Sequence, residues 1–407
     1  MNQPKNILYL SYDGMTDPLG QSQVLPYIVG LTKQGYSFTL LSCEKQERFD
    51  KNKKTIQAIC NANNIDWQPI MYTKRPPVIS TVWDIYKLNK RAKELHKQKH
   101  FQLFHCRSYI TALIGLGFKQ KKGVKFLFDM RGFWADERID GGIWNKNKFP
   151  YKQIYRFFKQ KETDFLSESD AVVSLTETGK QEMLTWNIKN LTEDKITVIP
   201  CATDYTVFKF EDKKENRKKL NIPLDTKVIS YVGSLGTWYL ADEMIRFFAQ
   251  LKKVYPNSLF LFLTPEPPKI VYDLAKKHGL KKDDFKITFC ERKDLPKVAS
   301  VADYSLFFIK PAYSKMSSSP TKMGELLAMG IPVICNDIGD VKKIIETTKT
   351  GICIDNFDEK TFLKVINALN KLDNLSKEEI RENSKSYFLL EKGLNSYLNI
   401  YKSINEN

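Results

Sequence analysis

Short apolar runs recur along the chain at 7–12, 38–43, 68–72, 103–106, 125–130, 171–175 and 197–199. None shows strict polar alternation. That pattern predicts parallel strands covered on both faces rather than half-exposed ones. Helical periodicity fills several of the intervals, including 23–33 and 83–97. The same rhythm restarts at 227–232 and continues through 259–263, 286–289, 304–308, 333–335 and 352–354. Between the two series lies FEDKKENRKKLNIPLDT (210–226), dense in charge, which predicts a linker. The expected fold class is α/β, with two tandem Rossmann-like, doubly wound domains facing each other across a cleft. Ligands in such domains bind beyond the carboxyl ends of the strands, so the loops that follow strands are where chemistry is expected.

Composition sharpens this picture. A chain of 407 residues exceeds one ordinary core, and 27% charged with 42% hydrophobic residues describes a soluble globular protein. No apolar run is long enough to span a bilayer, and MNQPKNILYLSYDG lacks the layout of a signal peptide, so a cytoplasmic location is expected. The seven cysteines are scattered singly, which predicts thiols in a reducing compartment and neither a disulfide frame nor a metal site. The net charge of +17 is concentrated: residues 74–161 hold 21 Lys/Arg against 6 Asp/Glu, interleaved with aromatics such as Trp83, Tyr86, Trp134 and Tyr155. Such a surface suits an anionic membrane, a phosphate-bearing substrate or nucleic acid; a lysine-rich solvated face is the plainer alternative. No nucleic-acid-binding motif accompanies the charge.

Four post-strand loops carry candidate chemistry. In SYDGMTDPLGQSQ, Asp17-Pro18 and Gly20 make a turn, and Gln21 or Ser22 starts the next helix. In FDMRGFWADERIDGG, Arg131, Asp136, Glu137, Arg138 and Asp140 stand beside Phe133 and Trp134; opposed charges with aromatic walls suit a polar ligand such as a sugar, or form a structural ion-pair cluster. In YVGSLGTWYLADE, Gly233 and Gly236 let backbone amides approach an anion near Ser234 and Thr237. The fourth loop follows Lys310 and reads SSSPTKMGELLAMG. Ser318 or Ser319 is expected to cap a helix with Pro320 at its first position. Its amino end and Lys322 then attract phosphate. Thr321, Lys322 and Glu325 share one helical face and Met323, Leu326 and Leu327 another. Gly324 weakens a helix, which predicts close approach by another group. A plain capped helix with a Lys322–Glu325 pair is the alternative.

These segments resemble glycosyltransferase family 4, of GT-B fold, over nearly the whole chain. SSSPTKMGELLAMGIPVI looks like the family's donor-site helix, VIPCATDYTVF like the stretch that ends its first domain, and ITFCERKDLPKVASVADYSLFF like its base-binding loop. HCRSYITA and FDMRGFWADERIDGGIW resemble members from bacterial surface-polysaccharide clusters. The resemblance implies domains at 1–208 and 209–385, and a helix over 386–407 crossing back to the first. Glu325 matches the second of two donor-site glutamates and would hold the ribose hydroxyls of the nucleotide, as a carboxylate accepts two bonds from a vicinal diol. The first glutamate is replaced by Ser317. Ser234 and Tyr239 stand where many members carry an arginine and a lysine for the diphosphate, and Arg131-Gly132 where many carry His-Gly.

The resemblance thus implies retaining, metal-independent transfer of a hexose-type sugar from a nucleotide sugar, a UDP-sugar, to a glycan or polyprenyl-diphosphate-linked acceptor, with peripheral contact at the inner membrane face and no cofactor. Departure of a diphosphate calls for fixed positive charge and backbone donors. Arg131, Asp136 and Lys322 are the expected catalytic residues. Gly20, Gln21, Gly233, Ser234, Gly236, Thr237, Glu291, Lys310, Ser317, Ser318, Ser319, Thr321, Lys322 and Glu325 are the expected donor contacts. Two other classes share these features: a GT-B epimerase acting on the donor alone, and a non-catalytic GT-B partner subunit.

Overall fold

The computed structural model describes residues 5–406. Every strand expected from the apolar runs is present. β1 (Lys5–Ser11), β2 (Tyr36–Glu44), β3 (Asp66–Met71), β4 (Leu103–Arg107), β5 (Lys125–Asp129), β6 (Ala171–Ser174) and β7 (Ile196–Val198) form one parallel sheet in the order β3-β2-β1-β4-β5-β6-β7. β8 (Lys227–Val232), β9 (Ser258–Leu263), β10 (Phe285–Thr288), β11 (Tyr304–Phe307), β12 (Val333–Asn336) and β13 (Gly351–Ile354) form a second in the order β10-β9-β8-β11-β12-β13. Both orders reverse about a central pair, β1/β4 and β8/β11. Those reversals leave a crevice at the carboxyl ends of the strands.

The chain divides into two compact units, each with its own apolar core. One takes the residues up to 200 together with Tyr313–Ser318 and the segment from Leu390 onward; the other takes Cys201–Ala312 and Ser319–Leu389.

In the first unit the C-terminal helix Leu390–Glu406 lies against the helix Leu25–Thr32. The fit depends on two glycines. A Cβ on Gly30 would come within 2.5 Å of Leu394, and one on Gly393 within 2.8 Å of Tyr27. The same helix ends a buried polar network. The Tyr397 hydroxyl donates to Asp129 Oδ2 at 3.1 Å, and Tyr401 bonds His105 Nδ1 at 2.7 Å. Asp129 is fully buried at the end of β5, with Arg131 Nη1 at 3.9 Å and Arg107 Nη1 at 4.0 Å. Burial alone would raise its carboxyl pKa, but Arg131, His105 and Arg107 hold it below the ordinary value. The stability this carboxylate contributes is therefore present at neutral pH and is lost as acid protonates it. Asp129→Ala should lower the stability of this unit by about 3–5 kcal/mol, because two buried guanidinium groups lose their counter-charge. An unaltered thermal midpoint would contradict that account.

Two expectations are corrected. The helix expected at 23–33 is present as Leu25–Thr32, but the start expected at Gln21 or Ser22 lies inside a separate short helix, Pro18–Gln23, with a break at Val24 (φ −126°, ψ −62°). Pro26 sits in the first turn of the second helix, where its missing N–H is tolerated, which favours a new start there. The charged stretch 210–226 is not a linker but part of the second unit. It contains the helix Lys213–Lys219, capped by Asp212, whose side chain accepts from the Glu215 N–H. Arg217 is buried there, donating to the Val301 and Leu224 carbonyls and pairing with Asp303 at 3.0 Å. The charge density concealed a fixed arginine.

Candidate functional site

In the first unit the loop after β1 is held from beneath by Glu44, the last residue of β2. Its carboxylate is fully buried and accepts from the N–H groups of Met15 (2.7 Å) and Thr16 (3.0 Å), from the Thr16 hydroxyl and from Ser42. Gln21 donates to the Thr16 carbonyl at 3.1 Å. Gly20 is required by close approach, since a Cβ there would sit 2.2 Å from the Gly14 carbonyl. Sequence reasoning missed Glu44; a lone acid ending an apolar run into the crevice was the available signal.

The loop after β5 is strained. Arg131 (φ +56°) and Gly132 (φ +101°) are consecutive left-handed residues, and only the glycine adopts that geometry without penalty. The segment Tyr313–Ser318 of the same unit docks on this loop. Ser317, 2% exposed, accepts from the Phe133 N–H at 2.9 Å and donates to the Ser314 carbonyl at 2.9 Å. The Tyr313 ring stacks on Phe133 with centroids 5.6 Å apart. Asp140 accepts from the Ser314 N–H at 2.9 Å, and Glu137 pairs with Lys315 at 2.5 Å. Asp136 turns to the helix Tyr151–Glu168, accepting from Tyr155 (2.7 Å) and Lys159 (2.9 Å). The acids of this loop are thus engaged in holding structure, the plainer of the two readings open from sequence. Arg131 itself is mostly buried beside Asp129.

In the second unit the donor-site helix is Thr321–Ala328. Pro320 occupies the position before it, one residue earlier than expected, and no side chain caps it. Ser319 instead accepts from the Cys201 N–H at 3.1 Å, and the Ser318 N–H donates to the Lys315 carbonyl within the first unit. Met323, Leu326 and Leu327 are buried as expected. Gly324 is explained by close approach: a Cβ there would lie 2.6 Å from Thr203 Oγ1 and 3.0 Å from the Phe388 ring.

Lys322 and Glu325 part company. Glu325, largely buried, pairs with Arg292, whose guanidinium also lies over the Phe208 ring at 4.6 Å. Burial raises the Glu325 carboxyl pKa, against the pull of Arg292 and Lys322. Glu291, expected from sequence as a donor contact, is half-exposed and 3.7 Å from Lys293; its neighbour Arg292 is the residue that reaches the helix.

Lys322 turns away to the loop after β8. Part of its stem reaches the surface, but Nζ is enclosed and has no hydrogen-bond partner. It lies 3.6 Å from the Tyr239 ring centroid and 4.3 Å from that of Tyr231. A Cβ on Gly233 (φ +122°) would stand 2.9 Å from it. Burial pushes the ammonium down to about 7, with Glu325 opposing. Beside it the Tyr231 hydroxyl donates to the Ser234 carbonyl at 2.6 Å, while Ser234, Gly236 and Thr237 are exposed. Trp238–Leu240 separate this loop from the helix Ala241–Val254, whose first turn carries Asp242 and Glu243. The glycine loop therefore does not run directly into a helix start. The Lys310 N–H donates to the Trp238 carbonyl, and its side chain is exposed. The structure thus brings Gly233, Ser234, Lys310 and Lys322 to one end of β8 and β11; Glu325 faces the β10 loop through Arg292.

Solved structures share this architecture. Sucrose-phosphate synthase from Thermosynechococcus elongatus superposes with a TM-score of 0.73, covering 99% of each chain at 14% identity. Anabaena HepE, solved in complex with UDP and glucose, gives 0.72 over 98% of this chain and 100% of that one at 10% identity. Fold and sheet order define the class as GT-B. The family follows from sequence. Residues 23–207 match the model of Glycosyltransferase Family 4 and residues 212–387 that of Glycosyl transferases group 1, and the chain belongs to this family. Among curated proteins, D-inositol 3-phosphate glycosyltransferase of Stackebrandtia nassauensis is 26% identical over 221 residues, covering 52% of this chain and 48% of that protein. TuaC of Bacillus subtilis, named for teichuronic acid biosynthesis, is 29% identical over 163 residues, 38% of this chain and 37% of that one. The match takes in about half the length of such curated relatives.

Proposed function

We propose that the protein transfers a hexose-type sugar, with retention, from a UDP-sugar to a glycan or polyprenyl-diphosphate-linked acceptor in bacterial surface-polysaccharide synthesis. Family membership, the UDP-glucose complex of HepE and the teichuronic acid role in the name of TuaC support this reading. The observation that carries it is the enclosed Lys322 Nζ beside Gly233, an amine that a neighbouring diphosphate would hold in its charged form and that would then stabilise that group's departure. Lys322 takes the role that Ser234 and Tyr239 cannot fill. No metal or other cofactor is required, because this cation and the backbone N–H groups about Gly233 and Thr321 supply the stabilisation. Lys310, Ser234 and Thr237 border the diphosphate, and Glu325 receives the ribose diol. In the first unit Arg131 supplies charge for the transfer step, while Asp136 and Ser317 position its loop. The protein works in the cytoplasm at the inner membrane face; no described helix is long and apolar enough to cross a bilayer.

The test is calorimetry with UDP and turnover with a panel of nucleotide sugars. Glu325→Ala should weaken UDP binding at least tenfold, about 1.4 kcal/mol. Unchanged affinity would sink the ribose assignment. Sugar interconversion with the donor alone would favour an epimerase, and silence with every donor a non-catalytic subunit.

A further inference from the structure

The helix Ile79–Lys99 of the first unit has a buried face made by Ser80, Asp84, Leu88, Ala92 and Leu95. Its opposite face is unusual. Ile79 is 68% exposed, Val82 61%, Trp83 52% and Tyr86 53%. At 100° per residue these four share one stripe, and the stripe continues into exposed Lys90, Lys93 and Lys97. The first two turns of the outer face are therefore apolar and aromatic, and the later turns cationic. Exposed Lys74 and Arg75 precede the helix and add charge at its apolar end.

Nothing about this face serves the core. The Trp83 and Tyr86 rings stack on each other, centroids 5.2 Å apart and 21° between planes, and stay outside. The helix start is held firmly: fully buried Asp84 accepts from the Thr73 N–H and from the Tyr12 hydroxyl at 3.1 Å, and pairs with Lys87 at 2.8 Å. The other acid of the helix, Glu94, pairs with Arg91 at 3.0 Å. The outer stripe thus presents cations without carboxylates among them. Contiguous exposed apolar side chains rimmed by charge mark an interaction surface. Tryptophan and tyrosine with lysine is the chemistry of a lipid–water boundary, where rings sit at headgroup depth and ammonium groups meet phosphate.

We propose that this face docks the protein on an anionic lipid bilayer, with Ile79, Val82, Trp83 and Tyr86 entering the headgroup layer and Lys90, Lys93 and Lys97 on its surface. The inference deepens the membrane part of the proposed function by naming the surface responsible. Charge complementarity selects the occupant: a protein partner would have to cover an aromatic stripe and a lysine row together, whereas an anionic bilayer satisfies both at once.

The test uses the full chain and vesicles of phosphatidylcholine with or without phosphatidylglycerol, and needs neither donor nor acceptor. Its outcome is therefore independent of the transfer reaction. Binding to the anionic vesicles is expected at low salt, falling as salt rises, with little binding to neutral ones. The double variant Ile79→Ser/Trp83→Ser should lose at least tenfold in partitioning, and the triple variant Lys90→Glu/Lys93→Glu/Lys97→Glu should lose the preference for anionic lipid. Both should keep wild-type circular dichroism and UDP affinity, since all five positions are outward-facing. Absence of vesicle binding by the wild type, or wild-type binding by both variants, overturns the proposal. So does a change of oligomeric state in the double variant without loss of vesicle binding.

Discussion

Lys322→Met is expected to lower turnover by a factor of about 10²–10³ while leaving the fold at least as stable as before. The factor is that of removing one preorganised charge-stabilising group. The stability follows from burial. An ammonium depressed from its ordinary 10.5 to about 7 reflects roughly 4–5 kcal/mol of unfavourable burial of charge, only partly offset by two tyrosine faces worth about 0.5–2 kcal/mol. The sign is specific. Because the folded value lies below the unfolded one, wild-type stability should rise with pH between about 7 and 10.5. The gain from methionine should be greatest below that window. A diphosphate beside Nζ favours the charged form, so UDP binding at pH 8 should draw a proton from solution. Calorimetry in buffers of different ionisation enthalpy would detect that uptake, and the variant should lack it. Activity that survived in Lys322→Met would remove this residue from the chemistry; a destabilised variant would show that the amine is structural.

The second large effect concerns Ser317. Restoring the glutamate of the family pattern should not restore a sugar contact but should destabilise the first unit. The site is 2% exposed, and a Cβ at Gly179 would already lie 3.0 Å from Ser317 Cβ. Overpacking costs about 1–3 kcal/mol, and a buried carboxylate without a partner costs more, so a loss above about 3 kcal/mol is expected for Ser317→Glu. Ser317→Ala should lose about 1–3 kcal/mol by leaving the Phe133 N–H unpaired. Differential scanning calorimetry resolves the two. A glutamate variant that melts with the wild type and discriminates more sharply among donor sugars would reverse this reading.

These two residues show what a sequence can and cannot disclose. All thirteen strands were legible, because strands buried on both faces leave uninterrupted apolar runs. The reason for Gly324 was legible in kind, as close approach, though Thr203 and Phe388 were not nameable, being distant in the chain. The destination of a long side chain is less legible still. Lys322 and Glu325 sit three apart on a helix and invite pairing, yet one turns to Tyr231 and Tyr239 and the other to Arg292. Those choices depend on which loops of the second sheet, after β8 and after β10, lie at each end of the helix. Glu44, Arg107 and Asp129 were invisible for a related reason. Each is one polar residue ending an apolar strand, and its importance arises only from neighbours supplied by other strands.

The make-up of the first unit bears on how the chain is born. Its first 200 residues leave the ribosome long before Tyr313–Ser318, which latches the Arg131 loop, and before the helix that caps Asp129 and His105. Contacts spanning 268 and 296 residues close last and slow folding. Until those segments arrive, the apolar surface they cover about Tyr27 and Phe133 is left open, and exposed surface of that kind favours aggregation. A fragment ending near residue 200 would carry that surface permanently.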